Sequence, residues 1–456
     1  MDVPGHVFRE YDIRGIVGKD LDAELARSVG GAYATAIRRL IPHRTPRVVT
    51  GHDNRPSSPA LSAALVEGLR VGGVDVLHVG TVPTPLVYWA EKTMGADGGV
   101  QITGSHNPAE WNGIKMTLQG RSLWGGGIQE LRDWILTDTL ASGSGSLEEV
   151  EILDAYVADI AGRFALPRPV RVVVDCGNGT GAVVAVRLLE ALGCQVIPLF
   201  CESDGTFPNH HPDPTVDENL VEMIRLVREE GAELGIGFDG DADRLGVVDE
   251  TGSVVRGDLL LLLFGLDILR RRGPGQKLIF DVKCTQALPE VFAAAGGEPI
   301  MWKTGHSLMK EKMRETGAPL GGELSGHICF ADEYFGFDDA LYDACRLLEI
   351  LAGDRVPLSE RVAAFPRYHS TPEIRIEVAE EIKFSLVERA LAHFRALYPV
   401  IDVDGVRILF GDGWGLLRAS NTQPVVVARY EARSTQRMEA IRGEVEDWLR
   451  TQGVDV

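Results

Sequence analysis

Three carboxylates stand at alternate positions in one short segment of the chain. Asp239, Asp241 and Asp243 are separated by Gly240 and Ala242, and Arg244 follows at once. Clustered carboxylate oxygens are the ligands that a hard divalent cation such as Mg²⁺ prefers. Neighbouring anions repel one another, so an ordinary solvated loop explains them poorly. The spacing therefore predicts a magnesium site.

An EF-hand is an alternative for this segment, because Asp239, Asp241, Asp243 and Glu250 have its spacing. That loop needs a glycine where Arg244 stands, and it lies between helices. Here the flanking residues 234–238 and 245–248 are typical of buried strands. The EF-hand is excluded, and the acidic loop is placed at a strand end, where α/β proteins bind ligands.

A second loop with chemical potential follows a predicted strand over residues 100–103. Ser105 stands beside a potential base, His106, and Pro108 stiffens the turn. A serine in such a surface loop can accept a phosphoryl group, although the loop by itself is equally typical of an ordinary Ser/Asn/Pro turn. Lys115, farther along, can transfer a proton, although an isolated lysine is usually only solvated. A phosphorylated Ser105 would carry nearly two negative charges. A metal ion and nearby cations would neutralise the charge that builds up during phosphoryl transfer.

Alternating strand and helix patterns must position these loops. Repeated βα units before residue 366 predict largely parallel sheets, whereas strands with exposed faces and two helices near the end predict an antiparallel α+β module. Residues 137–150 are small and polar and are typical of a linker or a domain boundary.

Composition and charge narrow the functional class. The chain has 456 residues and a net charge of −20, which argues against a general nucleic-acid binder. An anionic substrate would need a locally basic site. The six cysteines have neither CxxC nor zinc spacing and are expected to be reduced and buried. With no signal segment or long apolar run, we expect a cytoplasmic protein.

Five motifs in order identify the chain as similar to the α-D-phosphohexomutases, and most similar to their bacterial phosphomannomutase/phosphoglucomutase branch. The resemblance extends over essentially the whole chain, and five independent motifs make it specific. The motifs lie at residues 8–15 (FREYDIRG), 104–108 (GSHNP), 239–244 (DGDADR), 322–327 (GELSGH) and 418–424 (RASNTQP).

The resemblance implies a reversible transfer of phosphoryl between C1 and C6 of mannose or glucose phosphate, through a phosphoserine enzyme and a hexose 1,6-bisphosphate. Ser105 resembles the phosphorylated serine and, with Asp239, Asp241 and Asp243, the ligand set of one Mg²⁺. Arg244 and His106 would stabilise the transferred group. Lys115 and His306 match positions proposed for general acid or base.

Further positions carry over to substrate binding. Tyr11, Arg14 and Lys283 match active-site positions. Glu323 and Ser325 match the loop that holds two sugar hydroxyls, with His327 beside them. The loop that grips the non-reacting phosphate corresponds to Arg418, Ser420, Asn421 and Thr422, whose guanidinium, hydroxyl and amide donors suit a phosphate.

The family also implies architecture and partners. We expect three related α/β domains with mixed, largely parallel sheets and a smaller C-terminal α+β domain around a central cleft. Their expected bounds are 1–150, 151–254, 255–366 and 367–456. Glucose 1,6-bisphosphate is expected as activator and intermediate, and a hexose phosphate as substrate. We expect no nucleic-acid or membrane partner, and a monomer or weak homodimer.

Two residues depart from the common family pattern: Gly104 replaces an alanine before the serine and could loosen that loop, and Gln423 replaces a frequent threonine. Neither removes a reacting group.

Three alternatives to this function stay open. Phosphoglucosamine mutases usually carry glutamine where Leu324 stands, which favours an unaminated hexose. A sugar-phosphate binding protein with little turnover is the second. A dinucleotide site at residues 175–181 is the third, although its glycine spacing fits poorly.

Overall fold

The predicted order of three α/β domains and a smaller α+β domain is confirmed. The structure is a computed structural model that describes residues 3–421 and 423–456. Contacts divide these residues into two units: unit 1 contains residues 3–257 and 325–361, and unit 2 contains the described residues of 258–324 and 362–456.

The first α/β domain is built on a mixed sheet. Its elements are β1 (Ile13–Ile16), α1 (Ala23–Leu40), β2 (Arg47–His52), α2 (Ser58–Val71), β3 (Asp75–Thr81), α3 (Thr84–Thr93), β4 (Gly98–Ile102), β5 (Trp111–Leu118), β6 (Arg121–Ser122), α4 (Gly126–Leu136) and β7 (Leu147–Glu149). The strand order is β1-β5-β4-β2-β3-β7, with β6 beside β5. β2 is parallel to β3 and β4, whereas β5 is antiparallel to β4.

The linker prediction for residues 137–150 is wrong in part, because β7 pairs in parallel with β3 and closes this sheet. A Cβ on Gly145 would lie 1.8 Å from the carbonyl oxygen of Val74. The Ser146 N–H and hydroxyl both donate to Asp75 Oδ1 at 2.7 Å. The small residues therefore allow close packing rather than flexibility.

The second domain places the acidic loop between two strands. Its elements are α5 (Leu153–Gly162), β8 (Arg171–Asp175), α6 (Ala185–Ala191), β9 (Gln195–Leu199), α7 (Val221–Glu230), β10 (Leu234–Phe238), β11 (Leu245–Asp249) and β12 (Val254–Val255). The strand order is β12-β11-β10-β8-β9. β8, β9 and β10 are parallel, and β10 and β11 form an antiparallel hairpin whose loop is 239–244. The strands predicted on both sides of this loop are confirmed.

The third stretch of chain contributes to both units. Its elements are α8 (Gly257–Arg272), β13 (Lys277–Asp281), α9 (Ala287–Ala294), β14 (Glu298–Trp302), α10 (His306–Thr316), β15 (Leu320–Gly322), β16 (Ile328–Phe330), α11 (Ala340–Ala352) and α12 (Leu358–Ala363). In unit 2, β13 is parallel to β14 and β15. In unit 1, Asp339 caps α11 by accepting from the N–H groups of Leu341 and Tyr342 at 3.1 Å.

The last stretch forms an antiparallel sheet with two helices, as predicted. Its elements are β17 (His369–Ser370), β18 (Ile374–Glu377), α13 (Lys383–Arg395), β19 (Val400–Ile401), β20 (Val406–Leu409), β21 (Gly413–Ala419), β22 (Val425–Ala432) and α14 (Thr435–Thr451). Apolar faces of both helices pack on β20, β21 and β22 through Phe394, Ile441 and Leu449. Within the described residues, none of the helices combines the length and apolarity needed to cross a membrane.

Candidate active site

Ser105 lies in a tight turn after β4, and unlike the expected surface serine it is 2% exposed. Its backbone is left-handed, with φ 50°, and its N–H donates to Thr103 Oγ1 at 2.9 Å. Ser105 Oγ donates to Asp239 Oδ2 at 3.0 Å and lies 3.0 Å from His106 Nδ1. The hydroxyl is therefore fixed between a carboxylate and an imidazole.

Arg55, which follows β2, supports the serine turn through hydrogen bonds to its backbone carbonyls. It is fully buried, and its guanidinium donates to the carbonyl oxygens of Ser105 and Asn107 at 2.7 Å and of Trp111 at 3.1 Å. Asp53 accepts from Arg55 Nε and from the Gly104 N–H at 3.0 Å. One buried ion pair therefore fixes the backbone of the loop.

The carboxylates of the acidic loop all point into the interior. Asp239, Asp241 and Asp243 are 0% exposed, and one oxygen of each lies within 4.8 Å of the others. Asp239 Oδ1 accepts from the backbone N–H groups of Asp243 and Arg244 at 3.0 and 3.2 Å. Burial and the two neighbouring carboxylates raise the pKa of Asp239 well above its ordinary value.

Two oxygens of this cluster fit a metal ion. Among the described residues, Asp241 Oδ1 and Asp243 Oδ1 are buried without a hydrogen-bond partner. An unsatisfied buried oxygen is costly, and three carboxylates around one point form an oxygen donor set that suits Mg²⁺. The residues fit the predicted metal, with Ser105 Oγ adjacent to Asp239.

Lys115, on β5, neutralises the other side of the cluster. Its Nζ donates to Asp241 Oδ2 at 2.7 Å and to Asp243 Oδ2 at 2.5 Å. Burial opposes the ammonium charge, but these carboxylates outweigh burial and raise the pKa of Lys115 well above its ordinary value. Thr84, at the start of α3, also donates to Asp241 Oδ2, at 2.5 Å. Lys115 therefore carries a proton.

The pKa of His106 shifts in the opposite direction to that of Lys115. Burial first, and then the positive charges of Arg244 and Arg14, lower the pKa of His106 well below its ordinary value. Its imidazole is therefore neutral beside Ser105 Oγ.

His327 connects the acidic loop to the segment after β15. Arg244 Nε donates to His327 Nε2 at 2.9 Å. On the other side of the ring, His327 Nδ1 lies 3.1 Å from Asp338 Oδ2 and 3.5 Å from Asp243 Oδ1. Leu245 donates its N–H to the Gly326 carbonyl at 3.1 Å, so Ser325 and His327 stand next to the metal-binding hairpin.

Residues 8–15, the first of the five motifs, also contact the serine turn. Arg14, on β1, donates to the Gly104 carbonyl through Nη1 at 3.3 Å and to Asp12 Oδ2 through Nε at 3.1 Å. Tyr11 is half-buried just before this strand. Contacts within unit 1 thus bring together predicted catalytic, metal-binding and substrate-binding residues: Arg14, Ser105, His106, Lys115, Asp239, Asp241, Asp243, Arg244 and His327.

Unit 2 gathers a second set of predicted residues. Glu323 is 4% exposed and accepts from the Gly305 N–H at 2.8 Å, which places it beside His306 at the start of α10. The neighbouring Thr304 N–H donates to Asp404 Oδ2 at 3.0 Å, and Arg418 Nε donates to the same oxygen at 2.5 Å. Glu323 and Arg418, predicted to bind the sugar and the non-reacting phosphate, are therefore linked to one connecting segment, residues 304–305.

Lys283 belongs to the same network in unit 2. Its Nζ donates to Glu373 Oε1 at 2.6 Å and lies 3.6 Å from Asp281 Oδ2, which accepts from Thr304 Oγ1 at 3.1 Å. Burial opposes its charge, but Glu373 and Asp281 outweigh burial and raise the pKa of Lys283.

The loop predicted to bind the non-reacting phosphate follows β21. Ser420 is 7% exposed, its N–H donates to the Val425 carbonyl at 3.0 Å, and its Oγ accepts from the Gln423 N–H at 3.1 Å. Asn421 is exposed. Thr422, also predicted here, lies outside the described residues.

Several supporting residues were not identified from the sequence. Asp53, Arg55 and Thr84 act on the serine and metal loops, whereas Glu373 and Asp404 act on Lys283 and Arg418. Asp53, Arg55 and Thr84 follow the carboxyl ends of strands, where ligand sites collect. Position after a strand was the available signal for these three.

The chain matches four profiles in order. Phosphoglucomutase/phosphomannomutase alpha/beta/alpha domain I matches residues 5–136, domain II 154–252, domain III 256–368, and the C-terminal domain 373–447. The chain belongs to the phosphoglucomutase/phosphomannomutase family, and its enzyme class is that of the phosphohexomutases.

Individual relatives agree over nearly full length. The chain is 48% identical to a phosphomannomutase/phosphoglucomutase of Pseudomonas aeruginosa over 441 residues, which cover 96% of this chain and 94% of that protein. It is 45% identical to a phosphoglucomutase of Neisseria gonorrhoeae, covering 96% and 95%. The crystal structure of a phosphoglucomutase/phosphomannomutase family protein from Burkholderia thailandensis superposes with a TM-score of 0.92 at 44% identity, covering 99% and 98%.

Proposed function

We propose that this chain interconverts the 1-phosphate and 6-phosphate of mannose and of glucose through a phosphoserine enzyme and a hexose 1,6-bisphosphate intermediate. The observation that carries the proposal is Ser105 Oγ, 3.0 Å from Asp239 Oδ2 at a buried cluster of carboxylates. A phosphoryl group on Ser105 would lie where cationic groups and a divalent ion can neutralise its charge.

The chemical step is a displacement at phosphorus. The sugar hydroxyl forms a bond to phosphorus while the bond between phosphorus and Ser105 Oγ breaks. The hydroxyl proton passes to a base, and Oγ recovers a proton from an acid. Transfer of the other phosphoryl group back to Ser105 reverses these events and completes the isomerisation.

The residues of unit 1 suit this step. Lys115 is buried and protonated, so it can act as a general acid. Arg244 supplies a guanidinium, oriented through His327, for the transferred phosphoryl group. His106 can donate a hydrogen bond without adding charge. Arg14 and Tyr11 are assigned to substrate binding.

The residues of unit 2 suit recognition of the sugar and its stable phosphate. We assign Glu323, with Ser325, to the sugar hydroxyls, His306 to proton transfer, and Lys283 to substrate binding. Arg418, Ser420, Asn421 and Thr422 are assigned to the non-reacting phosphate. The link of Arg418 to the 304–305 segment through Asp404 supports a common ligand for these groups.

Mg²⁺ is proposed as the cofactor, one ion held by Asp239, Asp241, Asp243 and the phosphorylated Ser105. When bound, it would supply positive charge for the phosphoryl oxygens. We further propose glucose 1,6-bisphosphate as activator, because it would phosphorylate any enzyme whose Ser105 had lost its phosphoryl group.

The remaining assignments follow from sequence and family. We propose domains with bounds at 1–150, 151–254, 255–366 and 367–456, which the ranges of the matching profiles support. A cytoplasmic monomer or weak homodimer, with no nucleic-acid or membrane partner, is consistent with the acidic charge.

Initial rates test the function and the sugar together. Purified protein with Mg²⁺ and a trace of glucose 1,6-bisphosphate is given glucose 1-phosphate, mannose 1-phosphate or glucosamine 1-phosphate, and the 6-phosphate is measured. We expect comparable rates on the first two and little on the third. Preference for glucosamine 1-phosphate would replace the sugar assignment, and binding without turnover would leave a sugar-phosphate binding protein.

A Glu323→Gln variant tests whether Glu323 binds the sugar hydroxyls and so discriminates between sugars. We expect it to change the ratio of kcat/KM for the mannose and glucose phosphates, because a carboxylate accepts hydrogen bonds from two hydroxyls and an amide does not replace it. The exposed Glu315→Gln on the same unit is the control. An unchanged ratio in Glu323→Gln would contradict the role.

A further inference from the structure

Two cysteines meet at the carboxyl ends of neighbouring strands in unit 1. Cys176 follows β8 and Cys201 follows β9, strands that pair in parallel with Asp175 opposite Leu199. Their Sγ atoms are 3.3 Å apart. The sequence did not indicate this pair, because its members are far apart along the chain and lack a CxxC spacing.

The backbone of both loops is arranged to hold the thiols together. Phe200 and Asn178 have left-handed backbones, with φ 49° and 58°, a conformation that is uncommon for side-chain-bearing residues. The Asn178 N–H donates to the Phe200 carbonyl, and its side-chain amide donates to the Glu202 carbonyl, both at 2.9 Å. The Asp204 N–H donates back to the Asn178 carbonyl at 2.9 Å. The contact between the sulfurs is therefore part of a connected loop structure.

The two thiols differ in access to solvent. Cys201 is half-buried, whereas Cys176 is fully buried. The other four cysteines of the chain, Cys194, Cys284, Cys329 and Cys345, are buried as well. Cys201 is therefore the thiol that a small reagent reaches first, with Cys176 directly behind it.

The electrostatics of the pair favour the same order of reaction. The hydrogen bond with Cys176 lowers the pKa of Cys201, and the same contact together with burial raises the pKa of Cys176. A thiolate is the reactive form of cysteine, so the accessible member of the pair is also the more readily ionised one.

We propose that Cys176 and Cys201 form a redox site, in which hydrogen peroxide converts the two thiols into a reversible disulfide. The Cys201 thiolate attacks one oxygen of hydrogen peroxide, the O–O bond breaks, and Cys201 becomes a sulfenic acid. The hydroxide that leaves takes up the proton that the Cys201 thiol released and departs as water. The Cys176 sulfur then attacks the Cys201 sulfur, the S–O bond breaks, and a second water leaves with the Cys176 proton. The peroxide is reduced and the two thiols are oxidised.

The two cysteines are separate from the proposed phosphoryl-transfer groups, but the loop that carries Cys176 is hydrogen-bonded to the acidic loop 239–244. The Thr180 N–H, in the same loop as Cys176, donates to the Gly240 carbonyl at 2.9 Å. In reducing compartments, disulfides are usually transient and serve catalysis or redox sensing. A reversible bond here, rather than a permanent one, fits that pattern.

Peptide mapping tests the proposal on the folded, full-length protein. The protein is treated with hydrogen peroxide, free thiols are alkylated after denaturation, and the digest is analysed without reduction. We expect one linked peptide joining Cys176 to Cys201, four alkylated cysteines, and loss of the linked peptide after dithiothreitol. Six alkylated thiols, or a link between other cysteines, would overturn the proposal.

Variants separate the two thiols. In Cys176→Ser, the Cys201 sulfenic acid has no thiol partner and should be trapped by dimedone. Cys194→Ser, which removes a buried cysteine outside the pair, should form the disulfide as the wild type does. Stepwise oxidation of Cys201 to sulfinic acid in the wild type, with no linked peptide, would also exclude the site.

Discussion

At the scale of single residues, the proposed chemistry depends on side chains that are buried and already paired. Ser105 Oγ contacts both Asp239 and His106. Lys115 is paired to Asp241 and Asp243. Fixed partners define which atoms carry protons, because each pKa is set by neighbours rather than by bulk water.

Replacing Ser105 by alanine tests the phosphoryl acceptor. We expect turnover to fall by several orders of magnitude, and stability to fall by about 1 kcal/mol because the hydroxyl is buried and hydrogen-bonded. The buried Ser62 is the matched control: among the described residues its Oγ has no hydrogen-bond partner, so Ser62→Ala should keep full activity. Rates and intact mass, which reports the phosphoryl group, are measured for both. Normal turnover by Ser105→Ala would refute the acceptor.

Asp241→Asn tests the metal site. Removing one anion should raise the Mg²⁺ concentration for half-maximal activity by about tenfold or more. It should also reduce the increase in melting temperature that Mg²⁺ gives, because binding to the folded state alone produces that increase. Asp154→Asn, at a side chain that is 91% exposed, is the control. Equal Mg²⁺ responses in wild type and Asp241→Asn would contradict the assignment.

At the scale of elements, loops at strand ends pack so closely that glycines are required. A Cβ on Gly240 would lie 2.3 Å from the Ser105 carbonyl oxygen, and one on Gly104 would lie 2.4 Å from Arg55 Cζ. A glycine at position 104, where alanine is common in the family, could loosen the serine loop. In this chain, it instead makes room for the Arg55 guanidinium.

Gly104→Ala should therefore impair this protein despite the family preference for alanine. Arg55 is fully buried and bonded to several carbonyls, so it cannot move without losing them. We expect about a tenfold loss of turnover and a destabilisation of about 1–3 kcal/mol from overpacking. A Cβ on Gly443 meets nothing within 4 Å, so Gly443→Ala, in α14, should be neutral or slightly stabilising. Rates and thermal unfolding are compared, and wild-type values for Gly104→Ala would show that the loop adapts.

At the scale of the whole molecule, a chain with a net charge of −20 keeps cations among the candidate site residues of each unit. Four of them pair with a carboxylate: Arg14, Lys115, Lys283 and Arg418. In unit 2, the pair of Lys283 and Glu373 joins residues that are distant in sequence, with Nζ and Oε1 2.6 Å apart. Such pairs stabilise the folded state only while both groups are charged.

The Lys283 charge lowers the pKa of Glu373 from 4.5 to about 2. A depressed carboxyl pKa gives stability that is present above about pH 4.5 and is lost as the pH falls towards 2. We expect the urea midpoint of the wild type to fall more steeply between about pH 7 and about pH 3.5 than that of Glu373→Gln. The exposed Glu377→Gln on β18 should follow the wild type. Parallel curves for all three would show that the pair does not contribute.

The sequence by itself predicted the candidate reacting residues, and it determined the order of the α/β and α+β domains and most strands and helices. These are local properties: carboxylate spacing, hydrophobic periodicity and short motifs are readable without knowing distant contacts. The residue types linked the serine loop to the metal loop through the charge requirements of phosphoryl transfer, and the family resemblance supported the same pairing. The contact of Ser105 with Asp239 agrees with it.

Only the tertiary structure decided how those groups are supported. Three contacts join residues that are far apart in the chain: Arg55 with the serine turn, Asp404 with two loops of unit 2, and Cys176 with Cys201. The burial of Ser105 and the pairing of β7 with β3 are of the same kind. Their physical reason is shared: burial and hydrogen-bond partners depend on which segments pack together, and single-residue patterns do not encode that pairing.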